Sequence, residues 1–301
     1  MKLTILGSCA AHPTLKRFTT SQVLEFNGKS FLIDCGEGTQ IQLRKNKIKF
    51  NSIEDVFISH LHGDHYLGLP GLILTLNLLG RDKPLNIYGP KGIKEIISIF
   101  MKLGGTWTNY KLNFNELSSL EPELIFDKNN LSVTTIPLSH RIYTNGFFFK
   151  KQSTVHKLIV DKVVDYGIDK TQFAGIKLGK DGLGPDGEVI KNIKLVEPLN
   201  PDKKYAFCSD TLFERKIISQ IEGCDLLYHE STFLNKHEKL AQKTFHSTGE
   251  QAALIAKESN VKQLILGHFS SRYKDLNLFL DEAKINFKNV DLAIENKFFI
   301  I

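Results

Sequence analysis

The short sequence HLHGDH brings three histidines and one aspartate together directly after an apolar run. Imidazole nitrogens and carboxylate oxygens are the donors that zinc and similar ions bind, at about 2.0–2.2 Å. His60 and His62 are two residues apart, so in an extended loop they point to the same side and can hold one ion. Gly63 lets the chain turn, which allows Asp64 and His65 to face a second ion. The segment therefore predicts a site for two metal ions, an arrangement that hydrolyses phosphodiesters.

Four side chains are too few to hold two ions, so further ligands are expected where other strands end. His140 in PLSHR, Asp210 in CSDT and His268 in LGHFS each follow an apolar, β-type run. Taken singly, a histidine or aspartate at such a place is often only a cap or a surface group. Together with HLHGDH the three residues complete a set of seven ligands, and Asp210 can bridge both ions because a carboxylate has two oxygens.

Strands and helices alternate in both halves of the chain, and the polar residues of interest follow the ends of strands. The run IEDVFIS predicts a buried strand that ends at His60, and KYAFCSD predicts one that ends at Asp210. The run CDLLYHES predicts a strand that ends near Glu230. This alternation is typical of an α/β protein.

Local signals predict several turns and element ends. Asn27-Gly28 lies between QVLEF and KSFLID and predicts a two-residue hairpin. The run HSTGEQAALIAKE predicts a helix, and the spacing of Ser247 and Glu250 fits a capping box. The run DLAIENKFFI predicts one final strand.

Composition sets the outer limits of the interpretation. The chain has 301 residues, of which 42% are hydrophobic, and its 39 basic and 33 acidic residues give a net charge of +6. This mildly basic balance permits a polyanionic partner without demanding one. No apolar run approaches the roughly 18 residues of a membrane helix, and MKLTILGSCA does not fit a signal peptide. We therefore expect a cytoplasmic protein with no membrane partner. The four cysteines are far apart, which predicts buried thiols and no disulfides.

The segment 150–194 interrupts the alternation of strands and helices. It contains nine lysines and six acidic residues, and the turn-forming sequence GLGPDGE lies near its end. On charge alone, a solvated insertion is one interpretation. A basic arm that binds a polyanion is the other.

The arrangement of HLHGDH, His140, Asp210 and His268 resembles the metallo-β-lactamase superfamily. Seven segments are further similar to the ribonuclease Z family of tRNA 3′-processing endonucleases, almost from end to end of the chain: FISHLHGDHYLGLPGLI, YGPKGI, LSHR, FCSDT, YHESTF, HSTGEQAA and LGHFSSRY. The resemblance implies a single domain over residues 1–301 with the metallo-β-lactamase four-layer αβ/βα sandwich and an inserted flexible arm at 150–194. It also implies a homodimer with two Zn²⁺ per subunit, although the same ligands suit Mn²⁺ or Fe²⁺.

The resemblance also implies a role for each site residue. One ion is bound by His60, His62 and His140, the other by Asp64, His65 and His268, with Asp210 as the bridge. Asp64 is implied as the general base for an attacking water. Glu230 is implied to orient His246 near the leaving group, where a positively charged histidine can donate a proton to the departing 3′ oxygen. The plainer alternative makes His246 part of a helix cap and Glu230 an ordinary buried acid.

Substrate contacts are implied at three basic residues and at the insertion. The sequence HPTLKRFTTS resembles a loop close to the RNA 3′ end, with Lys16 and Arg17 as phosphate ligands. Phe18 stands where the family usually has asparagine, and it either stacks on a base or packs within the protein. Arg272 in SSRY is a further phosphate ligand. The segment 150–194 lies where the family carries its tRNA-binding arm, but the usual Gly-Pro motif is absent from the expected position.

These features predict a zinc-dependent endoribonuclease that removes 3′ trailers from precursor tRNA. Because activated water attacks, the products are a 3′-hydroxyl on the tRNA and a 5′-phosphate on the trailer. One alternative is a hydrolase of the same fold that acts on small phosphodiesters, sulfate esters or lactones, for which a basic arm is unnecessary. The other is a non-catalytic RNA-binding protein, against which the complete ligand set argues.

Overall fold

Two seven-stranded sheets and one two-stranded hairpin contain all the strands of the computed structural model, which describes residues 1–301. The strands are β1 (Lys2–Gly7), β2 (Ser21–Phe26), β3 (Lys29–Cys35), β4 (Ile53–Phe57), β5 (Leu85–Pro90), β6 (Leu112–Leu117), β7 (Leu124–Lys128), β8 (Leu131–Pro137), β9 (Asn145–Lys151), β10 (Gly182–Leu183), β11 (Val189–Ile190), β12 (Lys203–Cys208), β13 (Leu226–Glu230), β14 (Leu264–Gly267), β15 (Val290–Leu292) and β16 (Phe298–Ile300). The helices are α1 (Thr39–Lys45), α2 (Gly63–Tyr66), α3 (Gly68–Leu78), α4 (Ile93–Leu103), α5 (Val160–Asp165), α6 (Phe173–Lys177), α7 (Ile218–Ile221), α8 (Glu238–Thr244), α9 (Gly249–Glu258) and α10 (Asn277–Lys284).

Parallel strands in both large sheets bring the predicted site residues to strand ends. The first sheet has the order β16-β1-β2-β3-β4-β5-β6, and its strands β3 to β6 are parallel. The second has the order β15-β14-β13-β12-β9-β8-β7, and its strands β12 to β15 are parallel. Because the carboxyl ends of parallel strands meet at one edge of a sheet, residues that follow β12, β13 and β14 are brought close together.

The predicted hairpin is confirmed, whereas the predicted helix cap and final strand are wrong. Asn27 and Gly28 join β2 to β3 with φ angles of 49° and 74°, as the turn requires. Helix α9 is capped one residue later than predicted, by a capping box of Thr248 and Gln251. The final run divides into β15 and β16, which belong to different sheets.

The two large sheets pack face to face through aromatic side chains. The ring of Phe57 on β4 lies 5.4 Å from the rings of both Phe147 and Phe149 on β9. Tyr205 on β12 donates a hydrogen bond to the side chain of Gln22 on β2. Since side chains alternate between the faces of a strand, the neighbours of these residues point away, towards the helices.

Helices cover the outer face of each sheet. Apolar residues of α1, α3 and α4, among them Leu43, Leu72 and Ile97, form one buried cluster with strands of the first sheet. Residues of α9 and α10, including Ile255 and Phe279, form another with β12, β13 and β14. The layers therefore follow the order helix, sheet, sheet, helix.

The chain divides into two compact units, and the basic insertion belongs to the second of them. The first unit comprises 1–125, 133–149 and 204–301, and the second 126–132 and 150–203. The second unit contains α5, α6 and the hairpin β10–β11 around its own buried core of Val163, Ile168, Ile176, Ile190, Leu195 and Val196. The insertion is thus folded around apolar side chains. A purely solvated segment would not bury such a core.

All four cysteines are free and buried, as predicted. None of the helices combines the length and the apolar character needed to cross a lipid bilayer.

Candidate metal centre

The loop after β4 changes direction at Gly63, as its sequence predicts. His62 is extended, with φ −77° and ψ 143°, and the short helix α2 begins at the next residue. The loop also packs closely against the end of β3. A Cβ atom on Gly68 would lie 2.2 Å from the carbonyl oxygen of Gly36, so a side chain there is excluded by contact. This close approach fixes the backbone that carries Asp64 and His65.

The seven predicted ligands lie together and form two groups, and Asp210 of the first group also faces the second. Oδ2 of Asp210 lies 3.5 Å from Nε2 of His60, while Oδ1 lies 3.4 Å from Nε2 of His65. The two oxygens of one carboxylate therefore face different groups. Burial raises the pKa of Asp210, but the surrounding histidines outweigh this effect and hold its pKa well below the usual range. The ligand atoms of each group lie within 4.8 Å of one another, the first group being His60, His62, His140 and Asp210 and the second Asp64, His65 and His268.

In the first group, a hydrogen bond turns Nε2 of His140 towards the other histidines. The Nδ1–H of His140 donates to the carbonyl oxygen of Phe245 at 2.8 Å. In the neutral ring Nε2 then carries a lone pair, and it lies 3.2 Å from Nδ1 of His62. Nδ1 of His62 is also 3.0 Å from Nε2 of His60. Three nitrogens that converge in this way fit the donor set of a divalent cation.

A buried aspartate that the sequence analysis missed orients His65. Asp34, at the end of β3, is fully buried and accepts hydrogen bonds from Nδ1 of His65 at 2.7 Å and from the backbone N–H of Ser59 at 2.7 Å. Burial raises the pKa of Asp34. Burial also lowers the pKa of His65, but Asp210, Asp64 and Asp34 outweigh it and raise that pKa well above the usual range. A carboxylate behind a histidine ligand fixes which ring nitrogen faces the metal.

Asp64 is held in its ionised form. Its Oδ2 accepts the backbone N–H of Ala11 at 2.7 Å and lies 3.3 Å from Nε2 of His268. Burial raises the pKa of Asp64, but His65 and His268 outweigh it, and the pKa falls far below the usual range. Ala11 has φ 66°, a conformation uncommon for a residue with a side chain, so the loop is shaped to present this N–H group.

Glu230 and His246 form a buried pair beside the ligands. Nδ1 of His246 donates to Oε1 of Glu230 at 2.8 Å, and the backbone N–H groups of Thr211 and Thr232 donate to the same carboxylate. Burial lowers the pKa of His246, but the charge and hydrogen bond of Glu230 raise it to about 9. Because Thr248 is the cap of α9, the alternative in which His246 belongs to a helix cap is wrong.

Thr232 connects this pair to the second ligand group. Its hydroxyl donates to Oε2 of Glu230 at 2.7 Å and lies 2.8 Å from Nδ1 of His268. Since its hydrogen points to Glu230, the hydroxyl oxygen accepts from Nδ1–H of His268, and Nε2 of the same ring faces Asp64. No feature of the sequence indicated this link, because the YHESTF motif drew attention only to its acid.

A cavity of about 440 Å³ opens over both groups. Two arginines line it, Arg272 and Arg141, and Arg141 was not among the predicted residues although it directly follows His140. The guanidinium of Arg272 lies 5.0 Å from the ring centre of Phe233 and donates to the hydroxyl of Ser270 at 3.1 Å. Positive charge therefore lies beside the two ligand groups, where it can attract an anionic substrate.

The predicted loop residues Lys16 and Arg17 do not line this cavity. Lys16 is exposed. Arg17 is partly buried and donates to the carbonyl oxygen of Tyr273 at 3.1 Å, which ties the loop to the segment after β14. The ring of Phe18 packs next to Gly38 and has Nζ of Lys45 5.2 Å from its centre, so it packs within the protein.

The chain is similar to known proteins both in sequence and in fold. The sequence is similar to ribonuclease Z of Bacteroides fragilis, with 45% identity over 295 residues, covering 98% of this chain and 97% of that protein. The fold is similar to the crystal structure of the short form of human tRNase Z, with a TM-score of 0.73, 28% identity and coverage of 100% and 99%. It is also similar to the metallo-β-lactamase fold protein YhfI from Bacillus subtilis, with a TM-score of 0.71, 19% identity and coverage of 99% and 98%. Residues 1–174 match the family described as Anti-Pycsar protein Apyc1. The predicted metallo-β-lactamase fold is thus confirmed.

Proposed function

Because the chain belongs to the ribonuclease Z family, and over residues 1–174 also to the family described as Anti-Pycsar protein Apyc1, we propose that it removes 3′ trailers from precursor tRNA. It is a hydrolytic endoribonuclease, and its products are a 3′-hydroxyl on the tRNA and a 5′-phosphate on the trailer. The observation that carries the proposal is the position of Asp210, whose two oxygens face two groups of metal-binding side chains.

Two divalent cations, zinc in the first instance, fit this donor set. His60, His62 and His140 would hold the first, Asp64, His65 and His268 would hold the second, and Asp210 would be available to both. When bound, such cations stabilise negative charge on a phosphodiester and acidify water. In each group, ring nitrogens of two histidines lie 3.2 Å apart, and several donors gathered around one point support this assignment.

Asp64 is the proposed general base. Its contacts with Ala11, His65 and His268 all use Oδ2, so Oδ1 remains available to accept a proton from an attacking water. The low pKa of Asp64 keeps it ionised at neutral pH. An ionised carboxylate in a fixed position can orient the water as well as accept its proton.

His246 is the proposed group at the leaving oxygen. Glu230 occupies its Nδ1, so Nε2–H is the donor that can protonate the departing 3′ oxygen or stabilise its charge. The three hydrogen bonds that hold Glu230 from Thr211 and Thr232 prevent it from turning away. Glu230 therefore acts through His246 and does not itself contact the substrate.

Positive charge outside the centre supports RNA as the substrate. Arg272 at the cavity is the proposed ligand of a phosphate next to the scissile bond, and Lys16 of one further along the strand. Arg17 is proposed to hold the same loop in place and add to its charge. The second unit, with its excess of exposed lysines, is the proposed tRNA-binding arm, and its affinity is expected to depend on salt.

Metal analysis together with mapping of the ends of a cleaved precursor tRNA tests this function. We expect two metal ions per chain and a cut at the acceptor end with the chemistry stated above. Cuts unrelated to the acceptor end, or hydrolysis of small phosphodiesters without cleavage of the precursor, would favour the small-substrate alternative. RNA binding without any cleavage by the metal-loaded protein would favour the binding-protein alternative.

A homodimer is the proposed assembly, and the predicted cytoplasmic location remains a prediction. The exposed apolar residues Leu78 at the end of α3 and Trp107 after α4 line one cavity of about 410 Å³ and offer a surface for a second copy. Trp107→Asp is expected to yield monomers in light scattering. Ile285→Asp, at an equally exposed apolar position elsewhere, is the control and is expected to remain dimeric. A dimeric Trp107→Asp protein would contradict this choice of surface.

A further inference from the structure

A smaller cavity adjoins the metal centre at His246. Its volume is about 280 Å³, and it is lined by Leu212, Phe213, Glu238, Gln242, His246 and Gln251. His246 also lines the larger cavity over the ligands, so one side chain is shared by both. Pockets for drug-sized ligands span about 300–1,000 Å³. A cavity just below that range suits a smaller group, such as a single nucleobase.

Phe213 offers an aromatic surface in a fixed position. The guanidinium carbon of Arg215 lies 4.8 Å from the centre of its ring. Arg215 is itself held by two hydrogen bonds to the carboxylate of Glu258, at 2.8 and 2.9 Å. The ring is thus held by Arg215, which does not line the cavity, and by packing against the core, while the part that lines the cavity is available to stack on a base.

The remaining polar groups can bond the edge of a base. Glu238 accepts from Nε2 of Gln251 at 3.1 Å, and Gln251 is fixed by the capping box with Thr248. Gln242 is exposed on α8, and its side-chain amide makes no hydrogen bond within the protein. Glu238 offers a hydrogen-bond acceptor, the amide of Gln242 offers both a donor and an acceptor, and Phe213 offers a ring for stacking. Together these groups fit a nucleobase.

The position of His246 determines which base this is. In the proposed function, on which this inference rests, His246 faces the 3′ oxygen that leaves, and that oxygen belongs to the last nucleotide that the tRNA keeps. We propose that the cavity beside His246 receives the base of this nucleotide, with Phe213 stacking on it and Gln242 bonding its edge. The first base of the trailer, on the other side of the scissile phosphate, lies outside the cavity.

Single-turnover cleavage of precursors that lack one base tests the assignment. Phe213→Leu retains an apolar side chain without an aromatic ring, and Phe213→Tyr retains the ring. With the intact precursor we expect Phe213→Leu to slow cleavage about tenfold and Phe213→Tyr to restore it. With a precursor that is abasic at the last retained nucleotide, wild type is expected to slow about tenfold and Phe213→Leu to cause no further decrease, because the two changes remove the same interaction.

Three comparisons make the test decisive. A precursor that is abasic at the first trailer nucleotide is expected to leave the tenfold effect of Phe213→Leu intact. Ile142→Ala, in a separate cavity beside His140, is expected to show no coupling to the last retained base. If Phe213→Leu fails to fold, Gln242→Ala at the exposed surface can be combined with the same abasic precursors. We expect Gln242→Ala to slow cleavage of the intact precursor by about threefold to tenfold.

An additive effect of Phe213→Leu with the abasic tRNA nucleotide, or coupling to the trailer base instead, overturns the assignment. A different result would count against the proposed function itself. That result is a wild-type protein that does not cut the intact precursor at its acceptor end.

Discussion

Asp64 is the residue on which the proposed chemistry most depends, because it has two tasks. It belongs to the second ligand group, and its free oxygen is the proposed proton acceptor. Asp64→Asn removes the base and keeps the size and the contact with Ala11. We expect cleavage of precursor tRNA to fall by about 10²–10⁴-fold, with RNA binding within about twofold of wild type, since phosphate contacts dominate affinity.

Metal content must be measured on the same Asp64→Asn protein. A preparation with two ions per chain and almost no cleavage assigns the decrease to the missing base. Undiminished cleavage would remove Asp64 from this role.

Asp34 lies behind the ligands, and its charge acts through His65. Asp34→Asn retains the shape of the side chain but weakens its hold on Nδ1–H of His65. Removal of such a partner typically lowers metal affinity or activity by about 10–100-fold. Titration with zinc is expected to show weaker binding at one of two sites. Asp55→Asn, a buried aspartate of β4 that accepts from Asn86, is the matched control and should leave zinc affinity unchanged. Equal zinc affinity of the Asp34→Asn and wild-type proteins would refute the link.

Residue types and spacing predicted the ligand candidates because each of them follows an apolar strand, where α/β folds gather polar groups. Asp34 follows the apolar run FLI in the same way and was nevertheless missed. Its partner His65 is 31 residues away, and only the fold brings the two side chains within 2.7 Å. Thr232 is harder still to predict, since a threonine next to an acid is common and its role depends on His268, which directly follows the neighbouring strand β14.

At the scale of elements, the cap of α9 determines the path of the chain that carries His246. The sequence favoured Ser247 and Glu250, whereas the structure uses Thr248 and Gln251, because the hydroxyl of Ser247 donates to the carbonyl oxygen of Thr211 instead. Spacing alone does not distinguish two overlapping capping boxes one residue apart. The tertiary contact decides between them, and that contact is absent from the local sequence.

Thr248→Ala tests this choice of cap. The substitution removes the hydrogen bond to the backbone N–H of Gln251, and we expect the free energy of unfolding to fall by about 1 kcal/mol. In a thermal melt of a chain of this length, this corresponds to a decrease of roughly 1–2 °C. Glu250→Ala, at the position that the sequence favoured, is expected to change the free energy by less than about 0.5 kcal/mol. The reverse order of the two effects would restore the original assignment of the cap.

At the scale of the whole molecule, the two large sheets were predictable in kind, but the second unit was not. Alternating strands and helices predict an α/β fold, and the family resemblance specifies the four layers. The segment 150–194 has the charge of a solvated insertion, and its buried residues, such as Val163 and Ile176, are spaced too irregularly to reveal a core. Within it, residues distant in sequence approach closely, such as Gly167 and Pro185, where a Cβ on the glycine would lie 2.7 Å from the proline ring.

A folded second unit presents its lysines in fixed positions, which sharpens the prediction for RNA binding. Lys170, Lys177 and Lys180 are all exposed, and none forms an ion pair. Replacing all three by glutamate is expected to weaken precursor tRNA binding and to reduce the slope of log affinity against log salt by about one for each phosphate that the variant no longer binds.

The control replaces Lys257, Lys284 and Lys288 by glutamate, and these lysines are also exposed, on or near α9 and α10. Both triple variants change the net charge by the same amount, so a purely global charge effect alters both slopes alike. A smaller slope in the first variant alone assigns the phosphate contacts to the second unit, and equal slopes would exclude it as the tRNA-binding arm.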